Sequence, residues 1–468
     1  MRCLQAVVCW LAVLAVPVPA LAVSAASQPD VPPSGVIGMS DEAMLAPAYW
    51  IQQLNAPDRV LLDAAAIEAQ NRKLYQLDPS MHDLRSLPAS VSREQVLAWI
   101  NGISQLPKRA LFDEQGRRVE ASALQGVVAQ LALDRVPAQQ ALNYGLIVRR
   151  AALRSFPSDL RVFTTQGDVD IDRFQETAEF PGTPVAIVHT SQDGHWLFVV
   201  SPRYAAWTRR ENVALGSAEQ VFGYQQRMPR RIVTGAHVQT VYTREQPALS
   251  QLALDMGVSV PWLTDHAADQ PVNGESPYAA QVVQLPTRAD DGSLRLSPAL
   301  LPRQGDTMDG YLPLTEANIL RQAFKFLGER YGWGHDYDAR DCSGFVSDVY
   351  RSMGVQMPRD TGRQATSPAL NHQTFAAGDD HETRMRAVRA LNVGDLVYIP
   401  GHVMMVVGQR NGEPYVIHDT TGIAYRDGHG EVRRVKLNAV SVTPLLPLLL
   451  EDGRSYVDHM TGIVHIRP

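Results

Sequence analysis

The chain has very little cysteine: 3 residues of 468, at Cys3, Cys9 and Cys342. This scarcity excludes a fold that depends on a set of disulfides. Positive charge is not in excess either, because 43 Lys and Arg are set against 49 Asp and Glu, for a net charge of -6. No basic stripe with interleaved aromatic residues is found, so the sequence predicts no nucleic-acid partner.

Long apolar runs are also lacking, except in the first residues, which are typical of a secretory signal peptide. Arg2 precedes an apolar run that extends to about Val16, and Ala20-Leu21-Ala22 supplies small residues for cleavage. We expect cleavage after about Ala22 and no stable membrane insertion afterwards. The alternative is a retained anchor, but the run is short and prolines interrupt its end. Cleavage would leave Cys342 as the one thiol of an exported protein, a position where reactivity explains a cysteine better than packing does.

The periodicity of apolar residues changes along the chain and predicts several domains. Spacings of three and four residues indicate helices over 41–54, 58–74, 92–103 and 121–133, and short β-rich runs begin near Tyr144. After residue 312, helices are followed by several strands, which is typical of an α+β domain. The predicted divisions are a signal peptide over 1–22, a flexible lead over 23–38, a helical N-terminal domain over 39–140, a first β-barrel over 141–225, a second β-barrel over 226–312, and an α+β domain over 313–468.

The segment RDCSGFVSDVY, residues 340–350, predicts a reactive thiol at the start of a helix. Asp341 suits the N-cap position, and Val346 and Val349 belong to the buried stripe of the helix that follows. Cys342 would then lie in the first turn, where free backbone N–H groups and the helix dipole favour a thiolate. We therefore expect a lowered thiol pKa and a nucleophile.

Two histidines on consecutive predicted strands can complete this chemistry. His402 would be the general base, and His418 would orient its ring. The two rings share a face if position 404 pairs with 418, which requires a three-residue loop, Arg410-Asn411-Gly412. A two-residue loop would pair 405 with 418 and separate the rings. We predict the three-residue loop.

Each of these residues also has a simpler explanation. A lone cysteine on a helix is usually core filling, and an isolated histidine at a strand edge is usually a surface or core residue. Zinc is another use of Cys and His, but the CxxC and HxxxH spacings are absent. We therefore expect no metal and no other cofactor.

Taken together and in this order, these motifs resemble those of a known protein family. The stretch YGWGHDYDARDCSGFVSDVYRSMGVQMPRDTGRQ, then NVGDLVYIPGHVMMVVG and YVIHDT, resembles the NlpC/P60 family of papain-like cysteine peptidases, which cut bacterial cell-wall stem peptides. The resemblance extends from about Thr315 to the C-terminus. It implies that Cys342 is the nucleophile, His402 the general base and His418 the polar residue that orients it.

The preceding part of the chain resembles the multidomain branch of that family. YGLIVRRAALRSFPS and GTPVAIVHTSQDGHWLFVVSPRYAAWTRRENVA imply that the two barrels are bacterial SH3-like domains. Members of this branch are γ-D-glutamyl-L-diamino acid endopeptidases that act on free murein peptides. The resemblance implies substrate contacts at Tyr331, Asp341, Ser343, Asp360 and Thr361.

The first SH3-like domain of that branch also helps to bind the free amine of L-alanine. The resemblance makes Tyr204 the candidate for this contact, although plain packing within the barrel also explains it. The sequence does not identify the acidic side chain that should meet the amine. Where His335 stands, the family often has Gly.

The sequence therefore predicts an exported cysteine peptidase, periplasmic or secreted, whose partners are peptidoglycan stem peptides. It would hydrolyse the bond between γ-D-Glu and a diamino acid, meso-diaminopimelate or L-Lys, in free peptides that begin with L-Ala. One alternative is an endopeptidase on intact cross-linked peptidoglycan, with the barrels as wall-binding modules. Another is a non-catalytic wall-binding protein.

Overall fold

The computed structural model describes residues 35–467, which form several domains of mixed helix and sheet. The predicted signal peptide and most of the predicted flexible lead lie outside the described residues. Within 35–467, no helix is both long enough and apolar enough to cross a membrane.

The N-terminal region contains four helices and three short strands. In chain order they are α1 (Pro47–Ile51), β1 (Val60–Leu62), α2 (Ala64–Leu77), β2 (Ser90–Ser92), α3 (Arg93–Ile103), α4 (Ala121–Ala129) and β3 (Gln139–Ala141).

Three of these helices are shorter than the sequence predicts, and one of them, predicted over 121–133, ends at Ala129. The segment 41–54 divides into a 3₁₀ turn and α1, because Pro47 begins α1 and has no N–H to continue a helical ladder. The segment 58–74 starts with extended residues, and the helix α2 begins only after Asp63. The Asp63 carboxylate caps α2 by accepting a hydrogen bond from the N–H of Ala66 at 2.8 Å.

Most apolar side chains of the N-terminal region belong to one of two larger cores, while Leu74 and Met81 form a small cluster with Ala369. Met44 and Trp50 pack into the core of the C-terminal domain. Val96 and Ile100, on α3, pack instead with the apolar residues of the first β region. The predicted domain 39–140 is thus shared between two cores, each of which it helps to complete.

The first β domain, residues 143–226, is one antiparallel sheet of seven strands followed by a helix. The strand order is β10-β4-β7-β8-β9-β5-β6. The elements are β4 (Asn143–Ile147), β5 (Ala151–Arg154), β6 (Gln175–Glu179), β7 (Pro184–Thr190), β8 (Trp196–Val200), β9 (Ala205–Arg209), β10 (Val213–Gly216) and α5 (Ala218–Gln226).

The second β domain, residues 230–309, is built from smaller sheets. β14, β11 and β17 form a three-stranded sheet, while β12 pairs with β13 and β15 with β16. The strands are β11 (Arg230–Val233), β12 (His237–Gln239), β13 (Ala253–Asp255), β14 (Ser259–Pro261), β15 (Ala280–Arg288), β16 (Leu294–Pro302) and β17 (Thr307–Asp309).

The C-terminal domain packs helices against a six-stranded antiparallel sheet of order β19-β24-β20-β21-β22-β23. Its first strand, β18, lies outside that sheet and pairs with β1 of the N-terminal region. The elements are β18 (Leu314–Thr315), α6 (Glu316–Phe324), α7 (Cys342–Arg351), α8 (Thr361–Thr366), β19 (Asn371–Thr374), α9 (His381–Arg389), β20 (Leu396–Ile399), β21 (His402–Arg410), β22 (Glu413–Arg426), β23 (Val432–Pro444) and β24 (Gly462–His465).

A buried arginine joins the second β domain to the C-terminal domain. Arg340 is fully buried, and its guanidinium donates to Asp348 on α7 at 2.7 Å and to Asp255 on β13 at 2.9 Å. Glu329 accepts a third hydrogen bond from it, at 2.6 Å. A buried charge needs this full set of partners, so the network fixes the position of β13 relative to α7.

Trp50 offers a test of whether the N-terminal segment is part of the C-terminal core. Its side chain is 1% exposed, and its Nε1–H donates to the carbonyl of Met44 at 2.9 Å. We expect Trp50→Ala to lower the free energy of unfolding by about 3–5 kcal/mol, because it leaves a large cavity. Urea denaturation measures this change.

The matched control for this substitution is Leu45→Ala. Leu45 lies in the same segment and is 46% exposed, so its truncation is expected to change the free energy of unfolding by less than about 0.5 kcal/mol. Equal effects of the two substitutions would contradict the role given to Trp50.

Candidate active site

Asp341 holds the start of α7, the helix that begins with Cys342. Its Oδ1 accepts hydrogen bonds from the N–H of Gly344 at 2.8 Å and from Oγ of Ser343 at 3.1 Å. Its Oδ2 accepts one from the N–H of Gly334 at 3.0 Å. The predicted N-cap is confirmed, and the same carboxylate also ties the loop before α7 to the helix.

Arg359 completes this arrangement, a role that the sequence reasoning did not give it. Its Nη2 donates to Oδ2 of Asp341 at 2.7 Å, and its Nη1 donates to Oγ of Ser343 at 2.7 Å. Its Nε donates to Oγ1 of Thr177, on β6 of the first β domain. Arg359 therefore connects the helix that carries the thiol to the neighbouring β domain. The position of Arg359 in the PRDT stretch was the feature of the sequence from which this role could have been predicted.

His335 is buried and contacts the guanidinium of Arg359. Its Nδ1 is 3.1 Å from Nη2 of Arg359, an N–H donor, so this nitrogen acts as the acceptor. The backbone at His335 is left-handed, with φ of 63°, as it is at Gly334. A glycine adopts this conformation without strain, whereas His335 adds a ring that packs edge-on against Phe180.

The Cys342 thiol is buried, and its pKa is raised rather than lowered as predicted. Burial raises that pKa to about 12, and the carboxylates of Asp341 and Asp419 act in the same direction. The N–H of Val403 and the charge of Arg359 oppose this shift. Desolvation and like charge thus outweigh the helix N-terminus, and the resting side chain is a neutral thiol.

His402 and His418 are brought together as predicted from the sequence. Nε2 of His402 and Nδ1 of His418 are 2.8 Å apart and share a hydrogen bond. Nε2 of His418 in turn lies 3.1 Å from Oγ1 of Thr443 on β23. Burial lowers the pKa of His402 to about 4 and holds that of His418 well below its usual value, so both rings are neutral at neutral pH. The residue that the sequence missed here is Thr443.

The predicted loop between these strands is wrong, although the predicted register is right. Arg410 pairs with Glu413, so only Asn411 and Gly412 form the turn, both with positive φ. A bulge between Val406 and Gly408 then shifts the pairing by one residue, and Met405 lies opposite Ile417. The next pair along this register is 404 with 418, which is the pairing that brings the two rings together.

Cys342 lies beside β21 but is not hydrogen-bonded to either histidine in the described residues. The helix α7 packs against β21, and Cys342 belongs to the same apolar cluster as Val403, the residue after His402. The His402 ring uses Nε2 for its bond to His418. Its Nδ1 has no hydrogen-bond partner among residues 35–467, so it remains available for a proton.

The other residues predicted to contact the substrate differ in their burial and in their hydrogen-bond partners. Tyr331 is buried, and Cys342 and Asp341 are close enough to help raise the pKa of its hydroxyl. Ser343 is turned to Asp341 and Arg359 rather than to open space. Asp360 is exposed at the N-cap of α8, which begins at Thr361.

Glu176 and Tyr204 form a pair on the first β domain, and Asp360 lies near it. The Tyr204 hydroxyl donates to Oε2 of Glu176 at 2.8 Å. Burial raises the pKa of Glu176 to about 7, and the Asp360 carboxylate adds to this rise. Glu176 lies on β6 beside Thr177, the partner of Arg359. Glu176 was not singled out from the sequence, because β6 carries no motif.

The described residues contain no group of three His, Cys, Asp or Glu side chains arranged to hold a metal ion.

Comparisons with known proteins agree with this architecture. Residues 328–439 match the model of the NlpC/P60 family, and residues 161–209 match that of an SH3 domain of the SH3b1 type. The chain therefore contains an NlpC/P60 domain together with an SH3-type domain, and the predicted fold class is confirmed. The second β domain has no such match among these findings, so its SH3-like nature stays a prediction.

Several curated proteins are similar to part of this chain, among them two from Listeria. The probable endopeptidase p60 of Listeria seeligeri is 33% identical over 116 residues, which are 24% of this chain and 22% of that protein. The p60 of Listeria monocytogenes is 31% identical over 116 residues, 24% of this chain and 23% of that protein. The chain thus spans about a fifth of the length of these relatives.

The solved structure is an NlpC/P60 endopeptidase from Photobacterium damselae subsp. piscicida. It has a TM-score of 0.71 and 15% identity, and the match covers 89% of this chain and 96% of that one. At this identity the likeness concerns the fold, and it extends over nearly all the domains described above.

The neutral thiol leads to a prediction about reactivity. We expect the rate of alkylation of Cys342 by iodoacetamide to rise about tenfold per pH unit between pH 7 and 9, because the thiolate is a small fraction of the thiol throughout that range. Mass spectrometry of the peptide that contains Cys342 measures the rate.

The Cys342→Ala variant is the control for labelling elsewhere in the chain. A rate that reaches a plateau below pH 8 would show that the thiol is already ionised, contrary to its raised pKa.

Proposed function

We propose that this protein is a cysteine peptidase that hydrolyses the bond between γ-D-Glu and a diamino acid in cell-wall stem peptides with a free N-terminal L-Ala. The observation that carries the proposal is the acidic group formed by Glu176 and Tyr204 on the first β domain and by Asp360 at the start of α8. Glu176 precedes Thr177, which accepts from Arg359, the partner of Asp341 at the start of α7. The family of the C-terminal domain supplies the reaction class.

In this proposal the nucleophile forms during attack rather than beforehand. His402 is neutral because burial lowers its pKa to about 4, so its Nδ1 can accept the proton of the Cys342 thiol as the sulfur attacks the γ-carbonyl of D-Glu. The N-terminal N–H groups of α7 can stabilise the oxyanion. His402 then protonates the leaving amine, and water releases L-Ala-γ-D-Glu from the acyl-enzyme.

His418 and Thr443 keep His402 in the tautomer that this step requires. A base at Nδ1 needs its proton on Nε2, and that N–H can donate to Nδ1 of His418. His418 then carries its own proton on Nε2, which can donate to Oγ1 of Thr443. The hydroxyl of Thr443 can accept this last hydrogen bond, so the chain of hydrogen bonds is compatible with a base at Nδ1 of His402.

The acidic group explains a preference for a free amine. An ammonium group between Glu176 and Asp360 would be held by charge-assisted hydrogen bonds, with the Tyr204 hydroxyl as a further polar contact. It would also relieve the repulsion that raises the pKa of Glu176. In intact peptidoglycan the nitrogen of L-Ala is part of an amide and carries no charge, so free peptides are the better substrate.

The other predicted substrate contacts and the predicted export are also part of this proposal. Tyr331, Asp341, Ser343 and Thr361 would contribute to the binding of the peptide, Asp341 and Ser343 by positioning Arg359. A cell-wall substrate requires export to the periplasm or the medium, which agrees with the predicted signal peptide over residues 1–22.

The second candidate is an endopeptidase on cross-linked peptidoglycan, and one observation favours it. Tyr242 and Tyr278 on the second β domain are 57% and 87% exposed, and exposed aromatic rings can stack on sugars. In that case the second β domain would bind the wall and the substrate would need no free amine.

The direct test uses L-Ala-γ-D-Glu-meso-diaminopimelate and its L-Lys counterpart. The protein is expected to release L-Ala-γ-D-Glu, detected by mass spectrometry, from at least one of them. Cys342→Ala should reduce the rate by more than about 10³-fold, because it removes the nucleophile. Absence of the product with the unmodified protein would favour a non-catalytic wall-binding role.

The acidic group gives a second test. We expect Glu176→Gln to lower kcat/KM for the free peptide by about 10- to 100-fold, the value of a charge-assisted hydrogen bond, and to leave an N-acetylated peptide unaffected. In the unmodified protein, kcat/KM for the free peptide should fall as the pH drops through about 7, where Glu176 gains a proton. The variant should lack this fall.

Glu211→Gln is the matched control, since Glu211 is exposed in the same β domain and pairs with Arg149 on the surface. Equal cleavage of free and acetylated peptides by the unmodified protein would reject the free-amine preference and favour the second candidate.

A further inference from the structure

A cavity of about 320 Å³ lies at the junction of four parts of the chain. Its walls come from α2, from the first β domain, from the second β domain and from the end of α7. Arg203 and Arg351 line it, together with Tyr75 and Phe180. This cavity is separate from the candidate active site, because Cys342 begins α7 and Arg351 ends it, roughly 13 Å away along the helix axis.

The guanidinium of Arg203 is buried in this wall without a hydrogen-bond partner. Arg203 is 9% exposed, and its Nη2 has no acceptor among the described residues. The nearest carboxylate is Glu179, whose Oε1 is 3.8 Å from Nε of Arg203 and already accepts a hydrogen bond from Ser201 at 2.7 Å. Glu179 therefore offsets part of the charge but leaves the N–H donors unsatisfied, a costly arrangement for a buried guanidinium.

A second arginine, Arg351, also lines the cavity, and its guanidinium lies over the ring of Phe180 at 4.6 Å from the ring centre. Arg351 pairs with Asp348 at 2.9 Å, and another of its N–H groups donates to the carbonyl of Met256. Its Nε is buried and has no acceptor among residues 35–467. Burial lowers the pKa of Arg351, and the charge of Arg203, which lines the same cavity, acts in the same direction.

We propose that this cavity binds a small oxyanion, a carboxylate or a phosphate, between Arg203 and Arg351. Oxygen atoms of such a group would accept the unsatisfied N–H bonds of both guanidiniums, and their planar donor sets match a carboxylate or phosphate in a two-bond arrangement. The volume lies at the lower end of the range for small-molecule sites. This inference does not depend on the proposed peptidase function.

The bound anion would join parts of the structure that otherwise meet through few polar contacts here. Arg203 belongs to the first β domain, and Arg351 belongs to the C-terminal domain. Asn71 of α2 is tied to the C-terminal domain through Gly354 and Gln356, at 2.8 and 2.9 Å. Occupation of the cavity should therefore stabilise the assembled protein against heat.

The experiment is a thermal unfolding series with phosphate, acetate or succinate added to the full chain, against chloride at matched ionic strength. At least one of these anions should raise Tm by about 2 °C or more in a saturable manner. Arg203→Gln should abolish the rise, whatever the stability of that variant without anion. The anion that acts at the lowest concentration distinguishes a carboxylate ligand from a phosphate.

Two further variants keep the test decisive. Arg295→Gln removes an exposed arginine outside the cavity and should leave the rise unchanged. Gln356→Glu places a carboxylate at the cavity wall and should abolish the rise through its own charge, even if Arg203→Gln does not fold. No saturable rise with any of the three anions, or an equal rise in Gln356→Glu, would overturn the proposal and leave water as the occupant of the cavity.

Discussion

The structure around the thiol depends on the ion pair between Asp341 and Arg359. Asp341 caps the helix that begins with Cys342 and holds the loop before it, while Arg359 ties that carboxylate to Thr177 of the first β domain. Both partners are buried, so neither charge can be left alone without a large loss of stability. One ion pair thus sets the position of the thiol relative to both domains.

The same interface explains why the first β domain matters for the candidate site. The strand β6 contributes Thr177 to the Arg359 network and Glu176 to the acidic group with Tyr204. Because adjacent residues of a strand face opposite ways, one short strand serves both tasks. In the proposed function, binding of a peptide amine and support of the thiol would be coupled through the position of that strand.

The closed surroundings of Cys342 define the chemistry of the resting protein. Burial and the nearby carboxylates raise the pKa of its thiol to about 12, while burial lowers that of His402 to about 4. Neither group is charged at neutral pH. In the proposed mechanism, proton transfer from sulfur to imidazole would accompany attack on the substrate, a different starting point from a preformed thiolate and imidazolium pair.

The sequence alone determined the helix that begins with Cys342 and the strands that carry the histidines, because caps such as Asp341 and the apolar periods act within a few residues. It also singled out Cys342, His402 and His418 as the candidate catalytic residues, since local motifs carry them. Tertiary structure decided the rest: the bulge near Val406 that sets the histidine register, the sharing of residues 39–140 between two cores, and the direction of the thiol pKa. These depend on burial and on charges distant in the chain, which no local pattern contains.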